Sequence, residues 1–205
     1  MMTSLPQRSV REPRERGVIA PGDQATLQGM RLTPFRVWQA PIIARWVKSE
    51  QQLLWLAPST PPPLTAEKIA AWKRPGGEAF VLAMGRDDAP AGYGELNPMR
   101  SGCGDLWLGH AIVRPDLRGR GVGTFLSRAL LSEAFEQRGA KRVSLIVFPD
   151  NLAALRCYRR AGFIPAGEEH HQFGGAGFTH RLLRLEMARP RSVIALNQGS
   201  DRTAP

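Results

Sequence analysis

The second half of the chain shows two cycles in which an apolar run is followed by a helical pattern. Leu106 to Val113 is an apolar run of strand length, and the stretch from Phe125 to Arg138 has helical periodicity. A second run, Val143 to Phe148, is rich in β-branched residues and precedes a helical stretch from Leu152 to Arg160. This half is therefore predicted to read strand, helix, strand, helix.

The remaining elements are predicted from the same periodicities. They are a strand at 31–35, helices at 37–56 and 64–72, strands at 80–85 and 92–96, and strands at 168–173 and 179–187. Prolines at positions 58 and 61–63 separate the first two helices, and Thr65 is a suitable cap for the second. The last two strands are predicted to form a hairpin across the glycine-rich loop 174–177.

This order of elements predicts a mixed α/β fold with a single domain. A chain of 205 residues with 42% hydrophobic content can bury one good core. Residues 30–188 are predicted to form the domain. Residues 1–29, which have few apolar positions, are expected to be a flexible N-terminal extension, and residues 189–205 a C-terminal tail.

Composition narrows the class of protein. No apolar stretch approaches the roughly twenty residues that span a bilayer, and the N-terminus lacks the apolar segment of a signal peptide. The two cysteines, Cys103 and Cys157, are too few for a disulfide framework or a cysteine-based metal site. We expect no membrane partner and a cytoplasmic location.

The net charge of +10 raises the question of a nucleic-acid partner. The excess is not confined to the chain ends, and no long basic run with interleaved aromatic residues occurs. Arginine is frequent throughout the chain. General arginine usage therefore explains the charge better than nucleic-acid binding, and no nucleic-acid partner is predicted.

Residues 118–124 read Arg-Gly-Arg-Gly-Val-Gly-Thr and lie between a predicted strand and a predicted helix. The glycines allow a tight turn with exposed N–H groups, and the helix N-terminus adds partial positive charge. Such a turn binds a pyrophosphate, and arginine guanidinium groups suit phosphate oxygens. The segment predicts a phosphorylated cofactor.

Two other glycine-rich loops are excluded. No Gly-Lys pair occurs in the chain, so the P-loop template fails. The dinucleotide fingerprint G-x-G-x-x-G, counted from Gly119 and Gly121, needs a third glycine at position 124, where the chain has Thr124. No acidic residue that could bind a ribose stands about twenty positions on.

Two segments carry a resemblance to a known family. The spacing Arg118-x-x-Gly121-x-Gly123 between strand and helix resembles the central motif of the GNAT superfamily of acyl-CoA N-acyltransferases. Asn151, followed by a helix with Tyr158 and then by Gly162-Phe163, resembles the family's next motif. The order and separation of the two motifs also fit the family.

The resemblance implies the GNAT fold, with a central and mostly antiparallel sheet flanked by helices, over about residues 30–188. It implies acetyl-CoA as cosubstrate, with its pantetheine arm between two strands that splay apart. It also implies acetyl transfer to an amine, carried by a small molecule or a protein; a homodimer is left open. The implied cofactor contacts are Ile112, Val113, Arg118, Gly119, Arg120, Gly121, Val122, Gly123, Thr124, Asn151 and Tyr158.

Acetyl transfer to an amine needs a neutral amine and a proton for the departing thiolate. Tyr158 is the predicted acid, because the resemblance places its hydroxyl near the cofactor sulfur. Glu95 is the predicted base, since a carboxylate within a strand suggests a face that opens into a cleft. Asp105 and His110 remain alternative bases.

Two further residue classes are assigned no chemistry. Cys157 is expected to face the core or the sheet, since adjacent helical positions diverge by about 100 degrees. The histidines at 170, 171 and 180 lack metal-site spacing, so no metal is predicted. The main alternative function is a non-catalytic acyl-CoA-binding or regulatory module, and the surroundings of Glu95 and Asp105 are expected to distinguish it from an enzyme.

Overall fold

The computed structural model describes residues 27, 29–72, 74–85, 87–99, 104–173 and 178–190. Seven strands form one sheet in the order β1-β2-β3-β4-β5-β7-β6. The strands are β1 (Arg31–Pro34), β2 (Glu78–Met84), β3 (Ala89–Pro98), β4 (Asp105–Val113), β5 (Arg142–Val147), β6 (Ile164–Gln172) and β7 (Thr179–Ala188). All neighbours pair antiparallel except β4 and β5, which are parallel. The predicted mixed, mostly antiparallel sheet is confirmed.

In the described ranges, five α-helices cover the two faces of this sheet. They are α1 (Ala40–Ala44), α2 (Glu50–Leu56), α3 (Ala66–Ala71), α4 (Val122–Ser132) and α5 (Leu152–Ala161). Helices α4 and α5 pack on what we call the back face, where Leu82, Leu108 and Leu145 join one apolar cluster. Helices α1 to α3 pack on the front face, where Val81, Tyr93 and Ile112 join a second cluster.

The single helix predicted at 37–56 is wrong. The segment is a 3₁₀ turn at Val37–Gln39 followed by two separate helices, α1 and α2. Ser49 adopts an extended backbone and its hydroxyl accepts a hydrogen bond from the Gln52 N–H at 3.2 Å, which starts a new helix. The break keeps both helices in contact with the front cluster, where Ile43 and Leu53 are buried.

Most other boundaries differ from the predictions by a few residues. Thr65 caps α3, as predicted, by accepting from the Lys68 N–H at 3.4 Å. The helix predicted to reach Arg138 changes to π geometry at Glu133–Gln137. Strands β3 and β6 begin earlier than predicted because they extend their pairing with β2 and β7. The predicted loop 174–177 and almost all of the two predicted terminal segments lie outside the described residues.

The parallel pair β4–β5 is short. Only Asp105, Leu106 and Trp107 of β4 pair with β5. Beyond these residues β4 is paired with β3 alone, while β5 continues to pair with β7. A gap therefore opens near the middle of the sheet, between the C-terminal parts of the two strands.

Helix α4 approaches the sheet very closely where β3 carries glycine. A Cβ atom at Gly94 would lie 2.7 Å from Leu130 Cδ1, well inside normal contact distance. A Cβ atom at Gly92 would lie 3.1 Å from Leu126 Cδ2. The two glycines thus set the depth at which the helix that leads out of the glycine-rich turn can pack.

We expect Gly94→Ala to lower the free energy of unfolding by about 1 to 3 kcal/mol, because the added methyl group overpacks the α4 contact. Gly92→Ala, with the longer contact, is the matched control and should cost less. Urea unfolding of both variants checks this. Because Leu130→Ala removes the clashing atom, Gly94→Ala should cost less in that background than in the wild type, and equal costs in both would contradict the explanation.

Candidate functional site

A cavity of about 370 Å³ occupies the gap between β4 and β5. Its lining comes from both faces of the sheet, because α4 and α5 contribute from the back and α2 from the front. The lining residues are Gln52, Trp55, Leu56, Ala111, Ile112, Val113, Arg118, Gly119, Gly121, Gly123, Thr124, Leu126, Ser127, Ile146, Val147, Asn151, Ala153, Ala154, Arg156, Cys157, Tyr158 and Arg160. The structure thus brings most of the predicted cofactor contacts together around one space.

The glycine-rich turn lies at one end of this cavity with its amides available. Gly119 and Gly121 have φ angles of 78° and 79°, a region that glycine occupies without strain. Within the described part of the chain, the N–H groups of residues 119–124 donate no backbone hydrogen bond, and the next one, of Phe125, donates to the Gly121 carbonyl at 3.0 Å. Unpaired amides at the start of an 11-residue helix are suited to an anion.

Gly123 has a different role in the same turn. A Cβ atom there would lie 3.1 Å from the Cys157 sulfur and 3.6 Å from Val113 Cγ2. The absence of a side chain therefore lets the start of α4 pack against α5 and β4 at once.

Arg118 lines the cavity, but its guanidinium group is already engaged. It donates to the carbonyl oxygens of Val113 at 3.0 Å and Trp46 at 2.9 Å, and more weakly to Gln52 Oε1 at 3.4 Å. Partial burial lowers the pKa of Arg118. The side chain ties the glycine-rich turn to the helices on the front face.

Two of the predicted contacts are absent from the cavity wall. Val122 is fully buried in the back-face core. Arg120 has an exposed side chain and lies beside the turn.

Asn151 and its neighbours hold the opposite side of the cavity. The Asn151 side chain caps α5 by accepting from the Ala154 N–H at 3.2 Å. Next to it, Asp150 accepts a hydrogen bond from the Trp55 indole N–H of α2 at 3.2 Å. This contact and the Arg118 contacts hold α2 against the two turns that border the gap.

Tyr158 lies inside the cavity on α5. Its ring packs edge-on against Phe163, with ring centroids 5.7 Å apart. Among the described residues, its hydroxyl has no hydrogen-bond partner. Burial raises the pKa of Tyr158 far above its usual value. The hydroxyl therefore carries its proton across the physiological pH range, as a proton donor must.

The expectation that Cys157 faces away from the cleft is wrong. Its side chain lines the cavity together with Tyr158, because the cavity wraps around α5 rather than facing one side of it. The sulfur lies 3.7 Å from Ser127 Oγ and 3.8 Å from Thr124 Oγ1. Burial raises the pKa of the Cys157 thiol, which disfavours a nucleophilic thiolate.

Comparison with known proteins agrees with this architecture. Residues 43–163 match the family described as the acetyltransferase (GNAT) family. The chain belongs to the GNAT acetyltransferase family. The uncharacterized N-acetyltransferase YobR of Bacillus subtilis is 38% identical over 92 residues, which are 45% of this chain and 32% of YobR.

Two other GNAT proteins widen the comparison. An aminoglycoside N(6')-acetyltransferase type 1 of Klebsiella pneumoniae is 31% identical over 115 residues, which cover 51% of this chain and 56% of that protein. The chain therefore spans about a third of the length of YobR and about half of the length of the aminoglycoside acetyltransferase. The spermidine N-acetyltransferase of Vibrio cholerae, solved with CoA and spermine, superposes with a TM-score of 0.64 at 16% identity over 78% of this chain and 95% of that one. This likeness shows the GNAT fold.

Glu95, the predicted base of this GNAT domain, does not line the cavity. It is 1% exposed on the front side of β3. Its carboxylate accepts hydrogen bonds from the Tyr93 hydroxyl at 2.7 Å and the Asn97 amide at 3.2 Å. The strand alternation that suggested an open cleft in fact directs the side chain into a buried polar network.

Asp105 is also buried, at the paired end of β4. Its Oδ2 atom lies 2.5 Å from Arg142 Nη2, and Arg142 also contacts Glu186 at 3.3 Å. Asp105 therefore serves an ion-pair network away from the gap.

His110 contacts Glu95 in a way that the sequence does not reveal. Its Nδ1 atom lies 3.0 Å from Glu95 Oε2, and its φ angle of 46° marks it as the extra residue of a bulge in β4. The preceding Gly109 is the one sequence signal that could have suggested a bulge.

The histidines of the last hairpin form no metal site. His171 contacts Glu169 at 2.6 Å, and Arg184 contacts the same carboxylate. Within the described ranges, no cluster of His, Cys, Asp or Glu side chains could hold a metal ion, and no helix is long and apolar enough to cross a membrane.

Proposed function

We propose that this chain is an N-acetyltransferase that moves an acetyl group from acetyl-CoA to a primary amine by direct transfer. The observation that carries the proposal is the cavity in the gap between β4 and β5, with an anion-binding turn at one end and a protonated tyrosine inside it. Membership of the GNAT family supports the same reaction.

The cavity residues fit the parts of acetyl-CoA. The free amides of residues 119–124 would hold the pyrophosphate, and exposed Arg120 stands near enough to add charge. The pantetheine arm would bind along Ile112 and Val113, where β4 pairs with β3 on one side and has no β5 partner on the other. The Val113 carbonyl already accepts from Arg118 there. Arg118 would act mainly by fixing the shape of the turn. When bound, acetyl-CoA supplies an acetyl group activated as a thioester.

Tyr158 would protonate the departing sulfur. Asn151 supports this role indirectly, since it caps the helix that carries Tyr158 and so fixes where that helix begins. Cys157 would pack beside the bound arm without forming a covalent intermediate, because its thiol stays protonated.

The acceptor is a primary amine on a small molecule or a protein. The relatives named for aminoglycoside and spermidine acetylation support a small amine. We also propose a cytoplasmic location, for which the sparse cysteine content is the argument. The domain limits at residues 30 and 188 and a homodimer remain predictions.

The direct test offers acetyl-CoA with spermidine, kanamycin, tyramine and a lysine-containing peptide, and follows both thiol release and the acetylated amine by mass spectrometry. We expect acetylation of at least one amine, and a rise in melting temperature with CoA, because CoA binds only the folded state. A melting shift without turnover of any amine would favour the binding-module alternative. The absence of both would contradict the proposed function.

Gly119→Val tests whether the turn is the CoA site. Gly119 and Gly85 have φ angles of 78° and 74°, and no atom lies within 4 Å of a Cβ at either position. Gly85→Val is therefore a matched control for backbone strain outside the cavity wall. Only Gly119→Val should lose the CoA-dependent melting shift; equal behaviour of the two variants would count against the turn.

Tyr158→Phe separates proton donation from packing. The ring and its contact with Phe163 remain, so the CoA-dependent melting shift should be unchanged. Turnover should fall by roughly 100-fold to 10,000-fold, the usual contribution of one positioned proton donor. Turnover within about threefold of the wild type, at saturating acetyl-CoA, would make Tyr158 a packing residue.

A further inference from the structure

A buried carboxylate stands at the centre of a polar network on the front face. Glu95 accepts from Tyr93 at 2.7 Å and from Asn97 at 3.2 Å, and it lies against His110. Burial alone would raise the pKa of Glu95, but these three neighbours together lower it below its ordinary value. Glu95 is therefore ionised at neutral pH. A buried charge costs free energy unless it is paired or hydrogen-bonded, and the neighbours of Glu95 supply these partners to its carboxylate.

His110 is held from two sides. Its Nδ1 atom is buried and lies 3.0 Å from Glu95 Oε2, without an aligned hydrogen bond to that or any other described residue. Its ring stacks on Trp72 with centroids 4.2 Å apart and an angle of 17° between the planes. The Trp72 indole is in turn fixed by donating to Thr60 Oγ1 at 2.9 Å.

The position of His110 relates this network to the cavity. It directly precedes Ala111, Ile112 and Val113, which line the cavity. It lies beyond Trp107, the last β4 residue that pairs with β5. The side chain is 20% exposed although Nδ1 is buried. Nε2 is therefore the ring nitrogen left to meet a ligand.

The backbone at His110 is unusual for a strand. A φ angle of 46° is uncommon outside glycine, and such positions persist when the surroundings impose them. The bulge turns the His110 side chain to the front face beside Glu95, whereas regular alternation from Leu108, a residue of the back cluster, would have sent it to the back. Bulges of this kind re-aim side chains next to active sites.

We propose that His110 takes the proton from the acceptor amine, and that Glu95 is the positioning residue that holds and polarises its ring. This inference rests on the proposed function, whose reaction it completes. The arrangement is that of a histidine base with a buried carboxylate behind it, in which the carboxylate stabilises the imidazolium that forms.

The acceptor arrives as an ammonium ion, and His110 Nε2 removes one proton, which leaves a lone pair on nitrogen. A C–N bond forms at the thioester carbonyl and the C–S bond breaks. The sulfur leaves with the bonding electrons and takes a proton from Tyr158. The nitrogen then loses a second proton, which restores Tyr158 through solvent. His110 releases the first proton to solvent, so the reaction releases one proton overall.

The variant His110→Asn tests the base directly. Asparagine tolerates a positive φ angle and cannot act as a base near neutral pH, so the fold should survive. With the fastest amine of the panel above, kcat should fall by roughly 100-fold or more while the CoA-dependent melting shift persists. Exposed His170→Asn is the matched control and should retain wild-type turnover. A His110→Asn rate within about threefold of the wild type would overturn the proposal.

His110→Gly gives a second test, because glycine also accepts the positive φ angle and leaves space for an added base. Imidazole at millimolar concentration should restore part of the lost turnover in this variant and leave the wild type unaffected. Imidazole that fails to stimulate His110→Gly, in a protein that still binds CoA, would argue against a proton-transfer role.

Glu95→Gln tests the positioning role. Among the described residues, the charged and titratable groups that face His110 are Glu95 and, through its hydrogen bond, Tyr93, while Trp72 on the other side is uncharged. Removing the negative charge destabilises the imidazolium that forms during the reaction. kcat should therefore fall by roughly tenfold, while the KM values for the amine and for acetyl-CoA stay within about twofold of the wild type. An unchanged kcat, or a loss confined to KM, would leave Glu95 a structural residue and overturn its assignment.

The nitrogen chemical shifts of the His110 ring give a readout that needs no acceptor. Because Glu95 Oε2 lies 3.0 Å from Nδ1, the Nδ1 signal should change in Glu95→Gln and stay unchanged in His170→Asn. If no amine of the panel is acetylated, the proposed function fails and the base assignment with it. An unchanged Nδ1 signal in Glu95→Gln would instead overturn the pairing alone, whatever the turnover.

Discussion

The separation of β4 from β5 is the constraint on which the rest of the structure depends. Parallel strands that pair over three residues and then diverge leave backbone groups without a ladder partner in the middle of a sheet. Such groups cost free energy unless something else satisfies them. Arg118 satisfies the Val113 carbonyl, and the remaining unpaired backbone forms the wall of the cavity. The same defect that weakens the sheet thus creates its binding site.

The gap is stable because each strand is held independently of the other. β4 is fixed by a long ladder with β3, and β5 by a ladder with β7. Each face then contributes its own apolar cluster, one under α4 and α5 and one under α1 to α3. The front-face segment around α2 is tied to both sides of the opening, since Arg118, after β4, contacts Trp46 and Gln52, and Trp55 of α2 contacts Asp150, after β5. These contacts couple the position of α2 to the two turns that border the cavity.

Local chemistry made much of this architecture predictable from the sequence. The glycine-rich turn, the Asn151 cap and the strand patterns depend on neighbours in the chain, so motif and periodicity carried the information. The break at Ser49 was missed because apolar spacing continues across it. Cys157 was misplaced because helical geometry fixes the angle between side chains and not how far a cavity extends around the helix.

Tertiary contacts account for the other differences. The partners of the Arg118 side chain include a carbonyl 72 positions away in the chain, which no local pattern encodes. From the sequence, Glu95 is recognised only as a carboxylate within a strand, because its burial depends on the helices that cover the front face. Its pairing with His110 depends on a one-residue bulge, and a bulge changes side-chain direction without leaving a strong mark on composition.

The central claim is that CoA binds in the gap between β4 and β5. Hydrogen–deuterium exchange followed by mass spectrometry, with and without CoA, measures this directly, because binding would protect the free amides of the turn. The account predicts slowed exchange in peptides that cover 110–124 and 146–158, and little change in those that cover the β6–β7 hairpin. CoA binding that protects other segments and leaves 119–124 unchanged would contradict it.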